Sequence, residues 1–213
     1  MLREALQKQV VVLPYLFGLV SLLLAAGCAR EGAPDAAMAF SDGGGYDKTF
    51  KGTGAPEEIV FRGRTILAKA RGGTHCSGFT FAVAMRVAAT RGLLAGKSVE
   101  QVQRFQREWY GATPESREKQ CVAAAQTLGV GGEVKLADAR PGDFVQLWRA
   151  SGTGHSVVLV RLLRHDGKLV GIEYRSSQGS TSGIGNRSEL FTDADAKGAV
   201  LRARTYVCRL NSS

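Results

Sequence analysis

Apolar positions follow several patterns along the chain. Residues 10–26 (VVVLPYLFGLVSLLLAA) form an unbroken apolar run without a charge. Residues 29–55 show no hydrophobic period and are rich in Gly, Ala and Asp, the composition of a flexible linker. From Pro56 a helical pattern begins. Pro56-Glu57-Glu58 opens a predicted helix, with proline at its first position and acids at its positive end. Ile59, Val60, Ile66 and Leu67 give it a partial apolar face to about Ala70, and Arg71-Gly72-Gly73-Thr74 breaks it. Cys76–Gly92 reads as a second helix. Ser98-x-x-Gln101 is a capping-box pattern opening a third, which runs to Trp109. Thr113-Pro114-Glu115 opens a fourth, ending near Leu128-Gly129.

The second half reads as strands. Arg140–Asp143 is a turn and Phe144–Trp148 a strand. His155–Leu163 is β-branched and apolar on both faces, which suits a central, covered strand. Asp166-Gly167 is a hairpin signal, and Leu169–Ser177 returns as the partner strand. Residues 178–187 (QGSTSGIGNR) read as a Gly/Ser-rich loop, and Ala199–Leu210 as a last strand. Helices first and an antiparallel sheet afterwards make an α+β domain over 56–213.

The N-terminus reads as an address. Residues 1–9 carry Arg3 and Lys8 ahead of the apolar run, the arrangement of an export signal. Leu24-Ala25-Ala26-Gly27-Cys28 follows. Small residues before a cysteine resemble the bacterial lipobox, although Leu24 stands one step further back than usual. The resemblance implies a signal segment over 1–27, lipidation of Cys28, a flexible tether over 28–55, and a protein held by lipid at the periplasmic or outer-membrane face of the cell envelope. An uncleaved inner-membrane anchor, or cleavage near Ala37-Met38-Ala39, are the alternatives. All three export the domain.

Charge narrows the partners. The chain carries 28 Lys and Arg against 19 Asp and Glu, a net +9. An excess of this kind favours anionic partners. The positives are scattered singly, as in Arg62, Arg64, Lys69 and Arg71, so a solvated surface is expected and not a nucleic-acid binder. Four cysteines without a C-x-x-C pair suggest neither a disulfide scaffold nor zinc, and no cofactor or metal motif is visible.

Cys76 follows a Gly-rich break at a predicted helix start. The helix dipole there favours a thiolate, the nucleophilic form. A buried structural cysteine is the competing reading. His155 is the leading basic partner, with a satisfied core histidine as its alternative. His165 lies in a turn, and His75 points away from the neighbouring Cys76. If Asp166-Gly167 are the two central turn residues, His165 faces Lys168, and counting back along both strands sets Gln178 opposite His155, on the same face. Ser176 and Glu173 are further candidates. A bulge would spoil the count. Cys121 and Cys208 read as core thiols, with a disulfide between them possible in an oxidising envelope.

Three segments resemble the NlpC/P60 family of cell-wall cysteine peptidases. Thr74-His75-Cys76-Ser77-Gly78-Phe79 is similar to its D-C-S-G-hydrophobic signature. Arg140-Pro141-Gly142-Asp143-Phe144-Val145 is similar to its R-P-G-D element. Gly154-His155-Ser156-Val157-Val158-Leu159-Val160 is similar to its H-V-G-I strand. The resemblance spans roughly residues 56–180. It implies a papain-like fold, Cys76 as nucleophile, His155 as general base, a polar third residue on the following strand (here Gln178), and amide hydrolysis in peptidoglycan stem peptides. Two departures stand out. The aspartate before the cysteine is His75, and the family's tyrosine near the oxyanion site has no match in Ala68–Thr74. Those gaps keep open a non-catalytic wall- or partner-binding lipoprotein on the same scaffold. Cys–His acyl or amide transfer uses the same pair and stays open as well.

Overall fold

The computed structural model describes residues 32–212. The expected signal segment and Cys28 lie outside them. Among the described residues no helix is long and apolar enough to cross a membrane.

The domain is α+β. Its helices are α1 (Ala33–Met38), α2 (Cys76–Thr90), α3 (Val99–Trp109) and α4 (Cys121–Leu128). Its strands are β1 (Gly43–Gly44), β2 (Ile59–Phe61), β3 (Arg64–Leu67), β4 (Gly131–Val134), β5 (Phe144–Arg149), β6 (Gly154–His165), β7 (Lys168–Gln178), β8 (Gly183–Leu190) and β9 (Val200–Leu210). Seven strands form one antiparallel sheet in the order β1-β8-β7-β6-β5-β9-β4, while β2 and β3 make a separate hairpin. The two-residue period of β5, β6 and β9 sorts their side chains between two cores. Phe144, Val158 and Cys208 join the cluster built on the helices, and Val145, Val157 and Val207 join a second cluster on the opposite face. A sheet apolar on both faces is what the unbroken hydrophobic run of β6 requires.

Helix α2 is apolar almost all round, as a helix enclosed by other elements must be. Phe79, Phe81 and Val83 are fully buried, each contributing roughly 1.5–3 kcal/mol. Helix α3 is amphipathic and begins with the expected capping box: the Gln101 N–H donates to Ser98 Oγ (3.2 Å), and the Ser98 N–H to Gln101 Oε1 (2.8 Å). The fourth helix is shorter than the pattern predicts. Thr113 and Ser116 satisfy each other's backbone N–H groups, and the Glu118 carbonyl is taken by the Trp148 indole (2.9 Å). These local bonds compete with the helix ladder, so α4 starts only at Cys121.

The structure corrects three expectations. Residues 56–70 are a hairpin, not a helix. Arg62 and Gly63 adopt φ of 48° and 73°, the double left-handed turn that matches strand twist. The β-branched pairs on either side, Ile59-Val60 and Thr65-Ile66, outweigh the helix-start signal. Residues 178–187 are not simply a loop, because β8 begins at Gly183 and pairs with β7 along its length. Finally, residues 33–55 are folded, not a flexible tether. Ala36 and Ala37 are fully buried, and Phe40 packs edge-on against Phe79. The buried Arg175 guanidinium of β7 donates to the Ala37 and Phe40 carbonyls (3.1 and 2.6 Å) and pairs with Asp42 (2.6 Å). The glycines serve close backbone approach: a Cβ at Gly183 would lie 2.0 Å from the Gly43 oxygen of β1. Alanines and glycines that read as linker composition are here small residues for tight packing.

Candidate active site

The segment before α2 is held on both sides. The Thr74 N–H donates to the Gly45 oxygen (3.0 Å), and the Asp47 N–H to the Thr74 oxygen (2.9 Å). His75 is the N-cap of α2, with extended backbone. Its Nδ1 accepts from the Gly78 N–H (3.4 Å), and its Nε2 meets the Gly52 oxygen (3.3 Å). Nδ1 accepting and Nε2–H donating describes a neutral ring, and burial pushes the His75 pKa down. The cap therefore adds no charge at the helix start and leaves the positive dipole end uncompensated. Gly78 is sterically required, since a Cβ there would lie 2.2 Å from the Gly54 carbonyl carbon. The Cys-Ser-Gly order thus reflects a second segment crossing the first turn of α2.

Cys76 is the first residue of α2 and is half-buried. Burial raises its pKa, but a hydrogen bond with His155, the His155 charge, the Ser156 main-chain N–H and the Ser77 hydroxyl (3.9 Å) outweigh it. The balance lowers the thiol from 9.0 to about 7. The lowered value brings the thiolate within reach near neutral pH, and its fraction rises as pH rises through that value.

His155 is buried near the start of β6, with Nε2 3.2 Å from Gln178 Oε1. The Gln178 amide is itself oriented: its Nε2 donates to Thr181 Oγ1 (3.0 Å) and to the Gly185 oxygen (3.2 Å). Both N–H groups are used, so the carbonyl end faces the imidazole and accepts from it. That fixes a proton on Nε2 and leaves Nδ1 for the thiol. The Tyr174 ring stands edge-on to His155 at 5.5 Å. Its hydroxyl is held by Glu189, which Arg149 grips with two bonds of 2.6 and 2.7 Å.

The structure brings Cys76, His155 and Gln178 together. It places Glu173 on an ion pair with Arg161 (2.6 Å), and Ser176 on the Ser156 oxygen (2.6 Å). His165 is exposed in the turn beside Asp166. Cys121 and Cys208 are buried free thiols. Among the described residues no cluster of three or more His, Cys, Asp or Glu is arranged to hold a metal ion.

The chain matches no protein-family model, no curated protein and no solved structure.

Two aromatic residues stand near Cys76: Tyr110, which the sequence places in the core or a cleft wall, and Tyr46, which it leaves in the Gly-rich stretch. Tyr46 bridges to Thr74. Burial and then the Cys76 charge raise its pKa, against the opposing effect of Arg149. Tyr110 feels burial and Cys76 in the same way, and its hydroxyl donates to the Thr53 oxygen (2.6 Å). Tyr46 lies in the Gly-rich stretch, where composition hides its contact with Thr74. An aromatic residue within a glycine run is the only sequence signal that could have marked it.

Proposed function

We propose that this protein is a cell-envelope cysteine hydrolase with a papain-like fold, acting on amide bonds in peptidoglycan stem peptides. The observation that carries the reading is the orienting chain from Cys76 through His155 to a Gln178 amide whose both N–H groups are engaged. The three segments similar to the NlpC/P60 family supply the substrate class, and the net +9 charge suits an anionic wall.

In this reading the thiol proton passes to His155 Nδ1, and the Cys76 sulfur attacks the carbonyl carbon. The oxyanion is met by the Cys76 N–H at the helix start and by the Tyr46 hydroxyl, which takes the place of the family's tyrosine. His155 returns the proton to the leaving amine as the C–N bond breaks, giving a thioester. Water then attacks the thioester, with His155 as base, releasing a carboxylate and restoring the thiol. Gln178 holds the ring throughout.

Purified peptidoglycan provides the test. Wild-type protein releases stem-peptide fragments, whereas Cys76→Ala and His155→Ala, both melting normally, lose about 10³-fold or more. Absence of fragments from every wall type would overturn the hydrolase reading and favour a binding scaffold. The same proposal places the protein on a membrane through lipid at Cys28. Fractionation of Cys28→Ser should recover soluble protein or an uncleaved precursor. Unchanged membrane partition would contradict the anchor.

A further inference from the structure

The residue after His155 carries a second layer of organisation. The Ser156 hydroxyl proton is shared between Gln146 Oε1 (2.7 Å) and Gln120 Oε1 (3.1 Å). The Ser156 carbonyl accepts from the Ser176 hydroxyl (2.6 Å). Gln146 is fully buried and turned so that its Nε2 donates to the Leu147 oxygen, which presents Oε1 to Ser156. The remaining polar group of Ser156, its main-chain N–H, faces the Cys76 sulfur. A serine buried this deeply need not have three polar partners when valine packs as well on a strand.

Gln120 is held in an unusual way. Its backbone lies at φ 32°, ψ −96°, immediately before α4, and its side chain caps nothing. That region costs a non-glycine residue about 1–3 kcal/mol and persists only where its surroundings over-determine it. Here they do. The Gln120 N–H donates to the Ser116 oxygen (2.6 Å), and its carbonyl accepts from the Ala124 N–H (2.9 Å). The side chain then runs past Gly111, where a Cβ would meet its Nε2 at 3.0 Å, and ends on Ser156. Glycine alone would satisfy this backbone easily, yet it has no side chain to reach Ser156.

We propose that Gln120, Gln146 and Ser156 form a side-chain clamp that holds the Ser156 main-chain N–H on the Cys76 sulfur, making Gln120 and Gln146 positioning residues for the candidate nucleophile. The proposal rests on the reading of Cys76 and His155 as a nucleophile–base pair. It adds a requirement that this pair alone does not contain: β6 must be fixed in rotation about its own axis, not only in register.

The test uses the full-length protein and measures the pH dependence of Cys76 alkylation by iodoacetamide, resolved by site through peptide mass spectrometry. Ser156→Ala removes the hydroxyl at nearly constant volume. Gln120→Gly removes the reach and relieves the backbone. The charged and titratable groups around Cys76 (His155 of β6, Tyr46 and His75 in the flanking loops, Tyr110 after α3) are unchanged in both variants. Gln120→Gly should be no less stable than wild type; Ser156→Ala, which leaves the buried Gln146 Oε1 without its donor, should fold with a lowered melting temperature. In both, the alkylation midpoint should move from near 7 toward about 8, with the rate at pH 7 falling about fivefold. Profiles superimposable on wild type in both variants would overturn the clamp while leaving the nucleophile–base pair standing. A wild-type Cys76 that reacts no faster than an ordinary thiol would overturn both.

Discussion

Two cysteines of this protein are each the first residue of a helix, Cys76 of α2 and Cys121 of α4. Their surroundings differ at every other point. Cys76 follows a neutral, hydrogen-bonded histidine cap and is half-buried. It is met by an imidazole, a main-chain N–H and a hydroxyl. Cys121 follows Gln120, which provides no side-chain cap. It is fully buried, and its neighbour is the thiol of Cys208. The hydrogen bond with Cys121 and burial push the Cys208 thiol well above its ordinary range. The two helix starts thus differ in what meets the sulfur: directed donors at Cys76, a second buried thiol at Cys121. Burial in a low-dielectric interior favours the neutral thiol, as it does at Cys208.

The largest test of this contrast removes residues 1–55. That deletion takes away α1, β1 and Tyr46, and leaves the buried Arg175 guanidinium without the Ala37, Phe40 and Asp42 oxygens. The cut also strips Ala33, Ala36, Ala37 and Phe40 from the core; losing one large buried side chain such as Phe40 costs about 3–5 kcal/mol, a large share of a domain's stability. Residues 56–213 should show no cooperative melt near that of the full chain, and all three remaining thiols should label alike. A truncated protein with the full-length melting temperature and a selectively reactive Cys76 would break the account. Smaller effects separate the parts of the site. Tyr46→Phe removes one oxyanion donor and should lower the hydrolysis rate about 10²-fold, with the alkylation rate of Cys76 little changed. Gln178→Ala frees the imidazole and should lower both rates, hydrolysis by about tenfold. Equal loss of hydrolysis and alkylation in Tyr46→Phe would mean that this tyrosine acts on the thiol and not on the oxyanion.

Much of the frame was legible in the residues. Helices α2 and α3 announce themselves through an apolar run after a glycine break and through the Ser98–Gln101 box. Strands β5, β6, β7 and β9 follow from β-branched runs and the Asp166-Gly167 turn. The position of Gln178 is more instructive. His165 faces Lys168 as the turn predicts, but the register then slips twice, once by skipping Val170 on β7 and once by skipping Val160 on β6. The slips fall on opposite strands and cancel, so that Val158 faces Arg175 as in an unbroken hairpin. An unbroken count therefore lands on Gln178, whose amide meets His155 Nε2, although the two slips lie on a route that the pattern does not contain.

The illegible parts share one cause. In residues 33–55 composition and burial point in opposite directions, because alanine and glycine serve equally for a loose linker and for the closest packing of backbone on backbone. Gly43–Gly45 against Gly73 and Gly183, and Ala36–Ala37 under Arg175, are contacts between segments distant in sequence. No local pattern encodes them. Tyr46 is hidden for the same reason. The hairpin at 59–67 is missed because its turn is Arg-Gly, without the Asn or Asp that usually marks a left-handed pair.

The most direct measurement is the site-resolved rate of iodoacetamide alkylation of wild-type protein across pH 5 to 10. Cys76 should label with a midpoint near 7, losing reactivity as pH falls through that value, while the buried Cys121 and Cys208 stay unlabelled until the protein is unfolded. Slow and equal labelling of Cys76, Cys121 and Cys208, rising only in the ordinary thiol range near about 8.5, would contradict it.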